Sequence, residues 1–477
     1  MSILQRTIVG VLIILAFAGL FGVTEGMDRW ITDAHWRYKA SIKPVEFGKD
    51  ILVIAIDDKT VKKLGRLRYW SRAKYAELIK HLGKARAIGL DILITEPDIY
   101  DKKGDIALAE AIKANGHVVI PSYEWTQALP VDNEVIKSRQ KLLDSLPVSD
   151  AKDMLTVNPY LIEPPISILF DPERVGLAGV NSDQDGVYRN PILAKQTYDR
   201  KFLAHMSLVI AAVAVNSNIK DIVNTGFYSL NGKVIPHQNG SILLEPIAKR
   251  GGSYIKGVGS KVPTVSFIDA LSMPEDDFKD KIVLIGETAT GTTDIRPNPF
   301  DPGLRGVEFN AEILENLLYL QPLRKMPTAF VWLLAAIGIA LPVFLYQKYQ
   351  PLYANIGAFI SVVFLITVME FVFWEARFIP SWTVVILAFL SATLLMALQR
   401  YAQEEALKRH IRQSFAVYVA PELVEEIVKN PAIAHQEGTR REVTVLFSDI
   451  RNFTTYCEQH SPEFVVAQMR EYLSEMT

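Results

Sequence analysis

Near the C-terminus, Arg441-Glu442-Val443-Thr444-Val445-Leu446-Phe447 reads as a strand, and Asp449 stands just beyond its end. The spacing predicts a helix from Ser461, with Pro462 in its first turn and Glu463 after it. An acid at the end of a strand, followed by a tight turn and a helix, is suited to holding a divalent cation beside a polyphosphate. The carboxylate binds the metal while amides of the turn meet phosphate oxygens. By residue type alone, the same arrangement also suits a phosphatase of the haloacid type or a plain capped loop.

Three further acids, Asp57, Asp58 and Asp91, fall at or just past the ends of expected strands, where open α/β sheets place ligand sites. They read either as the lining of a polar-ligand pocket or as solvated loop caps. Gly286-Glu287-Thr288-Ala289-Thr290-Gly291-Thr292-Thr293 follows a strand and has two glycines at phosphate-loop spacing. Thr292 stands where a phosphate-reaching lysine is required, which excludes a P-loop nucleotidase. Glu370 sits at the end of an apolar run beside Glu375 and Arg377. An intramembrane acid can mark a functional site, but at that edge interfacial snorkelling is expected.

The elements that would position the three acids alternate in type. Ile51-Leu52-Val53-Ile54-Ala55-Ile56 is a continuous apolar run, as expected for a strand buried on both faces. Ser71 opens a helical stretch to Lys84, Ala87–Leu93 is the next strand, Asp105–Ala114 a helix and His117–Ile120 a short strand. Later, Lys281–Gly286 reads as a strand and Gly306–Leu320 as a helix with Val307, Ala311, Leu314 and Leu318 on one face. This alternation predicts an α/β domain, a parallel-rich sheet covered by helices.

At 477 residues the chain has room for two or three domains. Its net charge of −2 provides no field to draw nucleic acid. Cys457 is the single cysteine, so no intrachain disulfide forms and each domain is held by its own core. Four uncharged apolar stretches, Thr7–Thr24, Met326–Gln347, Tyr349–Met369 and Phe378–Gln399, have lengths that suit bilayer crossings. Ala16-Phe17-Ala18 has the pattern of a signal-peptidase site, but the apolar run continues through Gly19–Val23, which favours an uncleaved anchor. The resulting division is an anchor at 7–24, a large domain at 25–325, helices at 326–347, 349–369 and 378–399, a linker at 400–440 and a final segment at 441–477.

The first span is expected to deliver residues 25–325 across the inner membrane, and three further crossings then return the C-terminus of this multi-pass protein to the cytoplasm. Basic residues do not decide the orientation: Arg400, Lys408, Arg409 and Arg412 support it, whereas Arg324 and Lys325 oppose it. In the linker, Leu407, Ile411, Phe415 and Tyr418 share a helical face. Pro421 interrupts that pattern, and Leu423, Val424, Ile427 and Val428 begin a second amphipathic stretch. Such a segment is either a solvated stalk or a dimerising transducer.

Two resemblances cover most of the chain. Ile51–Asp58, Ala87–Asp98 (AIGLDILITEPD), Gly179–Arg189 (GVNSDQDGVYR) and Ile282–Leu318 (IVLIGETATGTTDIRPNPFDPGLRGVEFNAEILENLL) occur in the order of the second type of CHASE domain, which this region resembles. The resemblance implies a bacterial extracytoplasmic sensor followed by three transmembrane helices, with a ligand it does not assign to named residues. Phe415–Pro421 resembles the linker between such sensors and cyclase domains. REVTVLFSDIRNFT, Arg441–Thr454, is similar to the first strand and metal-binding turn of class III adenylate and guanylate cyclases, whose catalytic domain is α+β and ferredoxin-like.

That second resemblance implies roles for residues of the turn. Asp449 would ligate metal through its side chain and Ile450 through its backbone carbonyl, while Asn452, Phe453 and Thr454 would meet substrate phosphates. Asn452 stands where the family usually has glycine; asparagine tolerates a left-handed turn better than most residues. The implied activity is that of a phosphorus–oxygen lyase. Ribose 3′-oxygen attacks the α-phosphorus of ATP, giving cyclic AMP and pyrophosphate at two Mg2+ or Mn2+ ions.

The family's second aspartate, base-selecting residues and catalytic arginine have no counterpart before Thr477. The chain by itself is therefore expected to be inactive, and ATP or GTP preference is not specified. Homodimerisation is implied, because the family's active sites lie between two catalytic domains. The reading is a receptor adenylate cyclase that senses an unassigned extracytoplasmic ligand. The alternative is a non-enzymatic membrane sensor without its output; a sensor joined to a histidine kinase is disfavoured because no H-box-like helix follows the membrane bundle.

Overall fold

The structure, a computed structural model, describes residues 3–20, 22–43, 45–99, 101–125, 133–148, 151, 154–224, 227–249, 260–320, 322–415, 442 and 444–476. The chain divides into two units, one of Met1–Ile14, Ala336–Val362 and Ala388–Thr477, the other of Leu15–Ala335 and Val363–Leu387. Two N-terminal helices, α1 (Ile3–Leu20) and α2 (Val23–Ile42), precede the first strand.

The second unit is built on a sheet of β1 (Ile51–Ile56), β2 (Ala87–Asp91), β3 (Val118–Glu124), β4 (Val175–Leu177), β5 (Thr264–Ser266) and β6 (Ile282–Glu287). Their spatial order is β5-β1-β6-β2-β3-β4, all parallel, and the two-residue strand Ile162–Glu163 runs antiparallel to β3. Every residue of β1 is buried. The pleat sends Ile51, Val53 and Ala55 into one apolar layer and Leu52, Ile54 and Ile56 into the other. Covering on both faces is why this strand is a continuous apolar run.

Helices α3 (Asp58–Leu64), α4 (Ala73–His81) and α5 (Lys102–Asn115) connect β1, β2 and β3 in sequence. Leu78 and Ile79 of α4 are fully buried, each removing side-chain surface worth about 1.5–3 kcal/mol from water. Asp101 caps α5 by accepting the Gly104 N–H at 3.2 Å, and Gly116 ends it at φ 75. The opposite layer contains α6 (Met206–Ala214) and α7 (Gly306–Leu318). Helix α6 is apolar almost throughout and buried on nearly all sides.

Helix α7 departs from the simple amphipathic pattern. Besides Val307, Ala311 and Leu314, it buries Glu308, Asn310, Glu312, Glu315 and Asn316. Asn316 accepts the Glu245 N–H at 2.8 Å and donates to the Glu245 carbonyl at 3.0 Å. Glu312 accepts from the Ile247 N–H at 2.9 Å and from Asn298 Nδ2 at 2.8 Å. These side chains satisfy backbone that no ladder satisfies, so the polar face is buried rather than solvated.

Among the described residues, three helices are long and apolar enough to cross a membrane: α8 (Thr328–Lys348), α9 (Pro351–Trp374) and the Trp382–His410 part of α10 (Trp382–Phe415). The stretch Thr7–Thr24, expected as one span, is divided. Helix α1 ends at Leu20, Gly22 takes φ 64 and α2 begins at Val23, a break that glycine permits. The end expected at Gln399 is a change of polarity only, because α10 continues to Phe415. Tyr418, Pro421, Leu423, Val424, Ile427 and Val428 lie outside the described residues.

In the first unit, Val343, Tyr346, Ala354 and Met396 form a small buried cluster, and Arg400 Nη1 donates to the Tyr346 carbonyl at 2.6 Å. The strand expected at Arg441–Phe447 is absent where it is described: residues 442 and 444–450 join no ladder, and Phe447 is 92% exposed. A strand takes its stability from neighbouring strands, and none lies among the described residues of this unit. The expected α+β start at 441–477 is thus represented by α11 (Phe453–Gln459) and α12 (Pro462–Met476).

Candidate functional sites at the sheet edge and the Asp449 turn

The carboxyl ends of β1, β6 and β2 lie side by side, with Asp57 and Asp58 following β1 and Asp91 ending β2. Asp57 caps α3, accepting the Thr60 N–H at 2.9 Å and the Ser266 hydroxyl at 2.8 Å. Burial opposes its charge, but these hydrogen bonds outweigh burial and hold the carboxyl below the usual carboxylate range. Asp58 accepts both the N–H and the hydroxyl of Thr290 at 2.7 Å. In the Gly286–Thr293 string, Gly286 and Glu287 end β6 and the rest is a loop tied down on Asp58, turning at Gly291 with φ 92.

Asp91 has a different environment. Burial and the neighbouring Asp294 push its carboxyl up to about 7, against the hydrogen bond from Asn310 Nδ2 at 2.9 Å and the charge of Arg296. Arg296 pairs with Asp294 at 2.7 Å and lies over the Tyr188 ring, 5.5 Å from its centroid. Asn310 Oδ1 accepts the Ser207 hydroxyl at 3.2 Å, and the Ser207 N–H donates to His205 Nδ1 at 3.2 Å. Burial pushes the His205 imidazole down to about 3, so it caps α6 as a neutral ring.

Asp91 is thus brought together with Asn310, Asp294 and Arg296, whereas Asp57 and Asp58 have separate partners across β6. A buried carboxyl whose proton is held up to near neutrality can either donate to or accept from a polar neighbour. Asn310, Asp294, Arg296, Ser207 and His205 were not candidates on sequence. The available signal was the run of polar residues in α7, too many for a helix with one solvated face.

A second polar cluster joins α2 to the domain. Arg189, from GVNSDQDGVYR, is 5% exposed. It donates to both oxygens of Asp33 at 2.8 and 2.7 Å, to Asp183 at 2.8 Å and to Asp185 at 3.0 and 2.9 Å. Nearby, Glu245 accepts from Lys39 at 2.6 Å and Arg377 at 2.7 Å. Burial opposes its charge, but those two cations hold the carboxyl below its ordinary value.

At the C-terminal turn, Asp449 is exposed and its Oδ1 accepts the Ile450 N–H at 2.9 Å. The Ile450 carbonyl accepts the Phe453 N–H at 3.3 Å. Asn452 adopts φ 60, ψ 30 at the N-cap of α11, the left-handed conformation expected of it. Phe453 and Thr454 are the first residues of α11 rather than an open turn. The Asp449 carboxylate and Ile450 carbonyl are hard oxygen donors of the kind Mg2+ takes, but they amount to two positions of an octahedral shell. No group of three or more His, Cys, Asp or Glu gathers as a metal site among the described residues.

Comparison with known proteins agrees with both halves of this picture. The CHASE2 domain family matches residues 8–345, and the Adenylate and Guanylate cyclase catalytic domain family matches residues 435–477. A curated relative, Adenylate cyclase 1 of Rhizobium meliloti (strain 1021), is 44% identical over 59 residues, which is 12% of this chain and 9% of that protein. The chain thus matches about a tenth of that relative's length. No solved structure matches the chain. With well over half of its length matched by the first family, the chain belongs to the CHASE2 domain family and carries a fragment of an adenylate/guanylate cyclase catalytic domain at its C-terminal end.

Proposed function

We propose that this chain is the sensory, membrane and connecting part of a receptor adenylate cyclase, together with the opening of its catalytic domain. The observation that carries the reading is the order along one chain: a CHASE2 match that runs into the first of three helices suited to a membrane, the other two helices, then a cyclase match. In this reading the α/β unit faces outward across a bacterial inner membrane. Its signal is a polar ligand or ion received at the sheet edge around Asp91, where Asp57 and Asp58 fix the adjoining loops. Continuity of α10 from Trp382 to Phe415 supports a transducing role, since a rigid helix transmits rotation or displacement along its axis.

Asp449 and Ile450 would contribute two oxygens to a Mg2+ or Mn2+ ion, and Asn452, Phe453 and Thr454 would face the phosphates of ATP. The metal, when bound, neutralises phosphate charge. Exposed Phe447, Phe464, Val466 and Leu473 offer apolar surface for the remainder of a catalytic domain and for a second copy, as a homodimeric cyclase requires. The test is cyclic AMP formation from ATP by these residues joined to a complete cyclase catalytic domain and expressed in a cyclase-deficient host. Asp449→Ala is expected to lower the rate by more than ~100-fold, since metal charge stabilisation is worth several kcal/mol. Undiminished activity in that variant would remove Asp449 from the metal site.

A further inference from the structure

Glu370 lies inside α9 rather than past its end, and one of its oxygens meets His35 Nε2 of α2. Its other oxygen accepts the Trp374 indole N–H at 3.1 Å. The second ring nitrogen of His35, Nδ1, is 2.7 Å from the Ile31 carbonyl oxygen. A carbonyl only accepts, so Nδ1 must carry a hydrogen. Nε2 and the Glu370 carboxylate then have either one hydrogen between them or none.

With one hydrogen the pair is imidazolium–carboxylate or imidazole–carboxylic acid, and both ring contacts are satisfied. With none, two acceptors face each other. Moving the remaining hydrogen to Nε2 only transfers that conflict to the Ile31 carbonyl. The ring has little room to escape: it stacks on Trp382 with centroids 4.5 Å apart and meets Phe373 edge-on at 5.7 Å. The two side chains are 19% and 34% exposed.

We propose that His35 and Glu370 form a binding site for one proton, which holds α2 against α9 when filled and releases that contact when emptied. The surrounding charges have other engagements. Lys39, one turn further along α2, is paired with Glu245 and lies 5.9 Å from the Trp374 ring. Arg377, beyond α9, is also paired with Glu245, and Asp33 with Arg189. Asp28 accepts the Thr383 N–H at the start of α10 at 2.7 Å, and Glu375 stands just past α9. The closed contact needs a hydrogen between Nε2 and the carboxylate, so removing that hydrogen by raising the pH disfavours it. Because α2 is also anchored to the domain through Asp33 and Lys39, the proton controls a joint between domain and helix. The inference does not rest on the cyclase reading.

The test uses the full chain in lipid nanodiscs, titrated from about pH 5 to about pH 9, the range in which histidine exchanges its proton. Spin labels replace Tyr38 on α2 and Phe371 on α9, both exposed, in a Cys457→Ser background. A single short distance is expected at the acid end, with a longer or broader distribution at the alkaline end. Glu370→Gln should keep the short distance throughout, because a carboxamide can donate to or accept from Nε2. In the unlabelled wild type, nitrogen-15 spectra of His35 should show both ring nitrogens bearing hydrogen at the acid end and one at the alkaline end. A distance distribution or a His35 spectrum that stays constant across the titration overturns the proposal.

Discussion

Asp57 and Asp91 are the same residue type at the ends of neighbouring parallel strands, yet their charges are treated in opposite ways. Asp57 accepts from Thr60 and Ser266 and stays ionised, whereas burial and Asp294 raise Asp91 to about 7. Its neutral form therefore stabilises the fold below the ordinary carboxylate value near ~4, and that contribution is lost as pH rises through about 7. Asp91→Asn, which keeps an acceptor for Asn310, should be more stable than the wild type by about 2–4 kcal/mol at about pH 8 and nearly equal to it at about pH 4. Thermal unfolding of the detergent-solubilised chain at the two pH values checks this, and equal differences at both would refute the assignment. Sequence position identified both acids as strand-end residues. It did not distinguish them, because Ser266 and Asn310 arrive from more than two hundred residues away.

At the scale of elements, runs covered on both faces were legible: β1, β2 and β6 fall where apolar, β-branched residues follow one another. Helix α2 was not, because its burial is mixed: Trp36 and Ala40 pack among Phe300, Phe373 and Trp382, while Asp33 on the same helix is held on Arg189. Removing the Arg189 head group should leave Asp33 buried without its two-pronged partner, with the more exposed Arg37 4.0 Å away as its remaining cation. Arg189→Met is expected to cost about 3–5 kcal/mol, and adding Asp33→Leu should recover much of it. Urea denaturation of the single and double variants measures both terms. Helix α6 is positioned by the opposite device, an absent side chain. A Cβ at Gly176 would lie 2.5 Å from Met206 Cα and 2.7 Å from Met206 N, whereas at Gly179 it would meet nothing within 4 Å. Gly176→Ala should lose about 1–3 kcal/mol by overpacking against that backbone. Gly179→Ala is the control, expected within about 0.5 kcal/mol of wild type.

For the whole molecule, side of the membrane follows from the number of crossings. If α8, α9 and α10 each cross once, residues before α8 and residues after α10 face opposite compartments, whatever α1 does. The chain has a built-in reporter for the second compartment, since Cys457 in α11 is its single thiol and is partly exposed. Tyr198, 76% exposed, supplies the first when changed to cysteine in a Cys457→Ser background. A charged maleimide does not pass the hydrocarbon core, where an ion is strongly disfavoured. Intact spheroplasts should therefore label Tyr198→Cys and spare Cys457, and inverted vesicles should reverse the pattern. Labelling of both thiols from one side would mean that an even number of the three helices crosses. Double labelling from inverted vesicles would in addition place the α/β unit in the cytoplasm and require a cytoplasmic ligand at Asp91, whereas double labelling in spheroplasts would leave that unit facing outward.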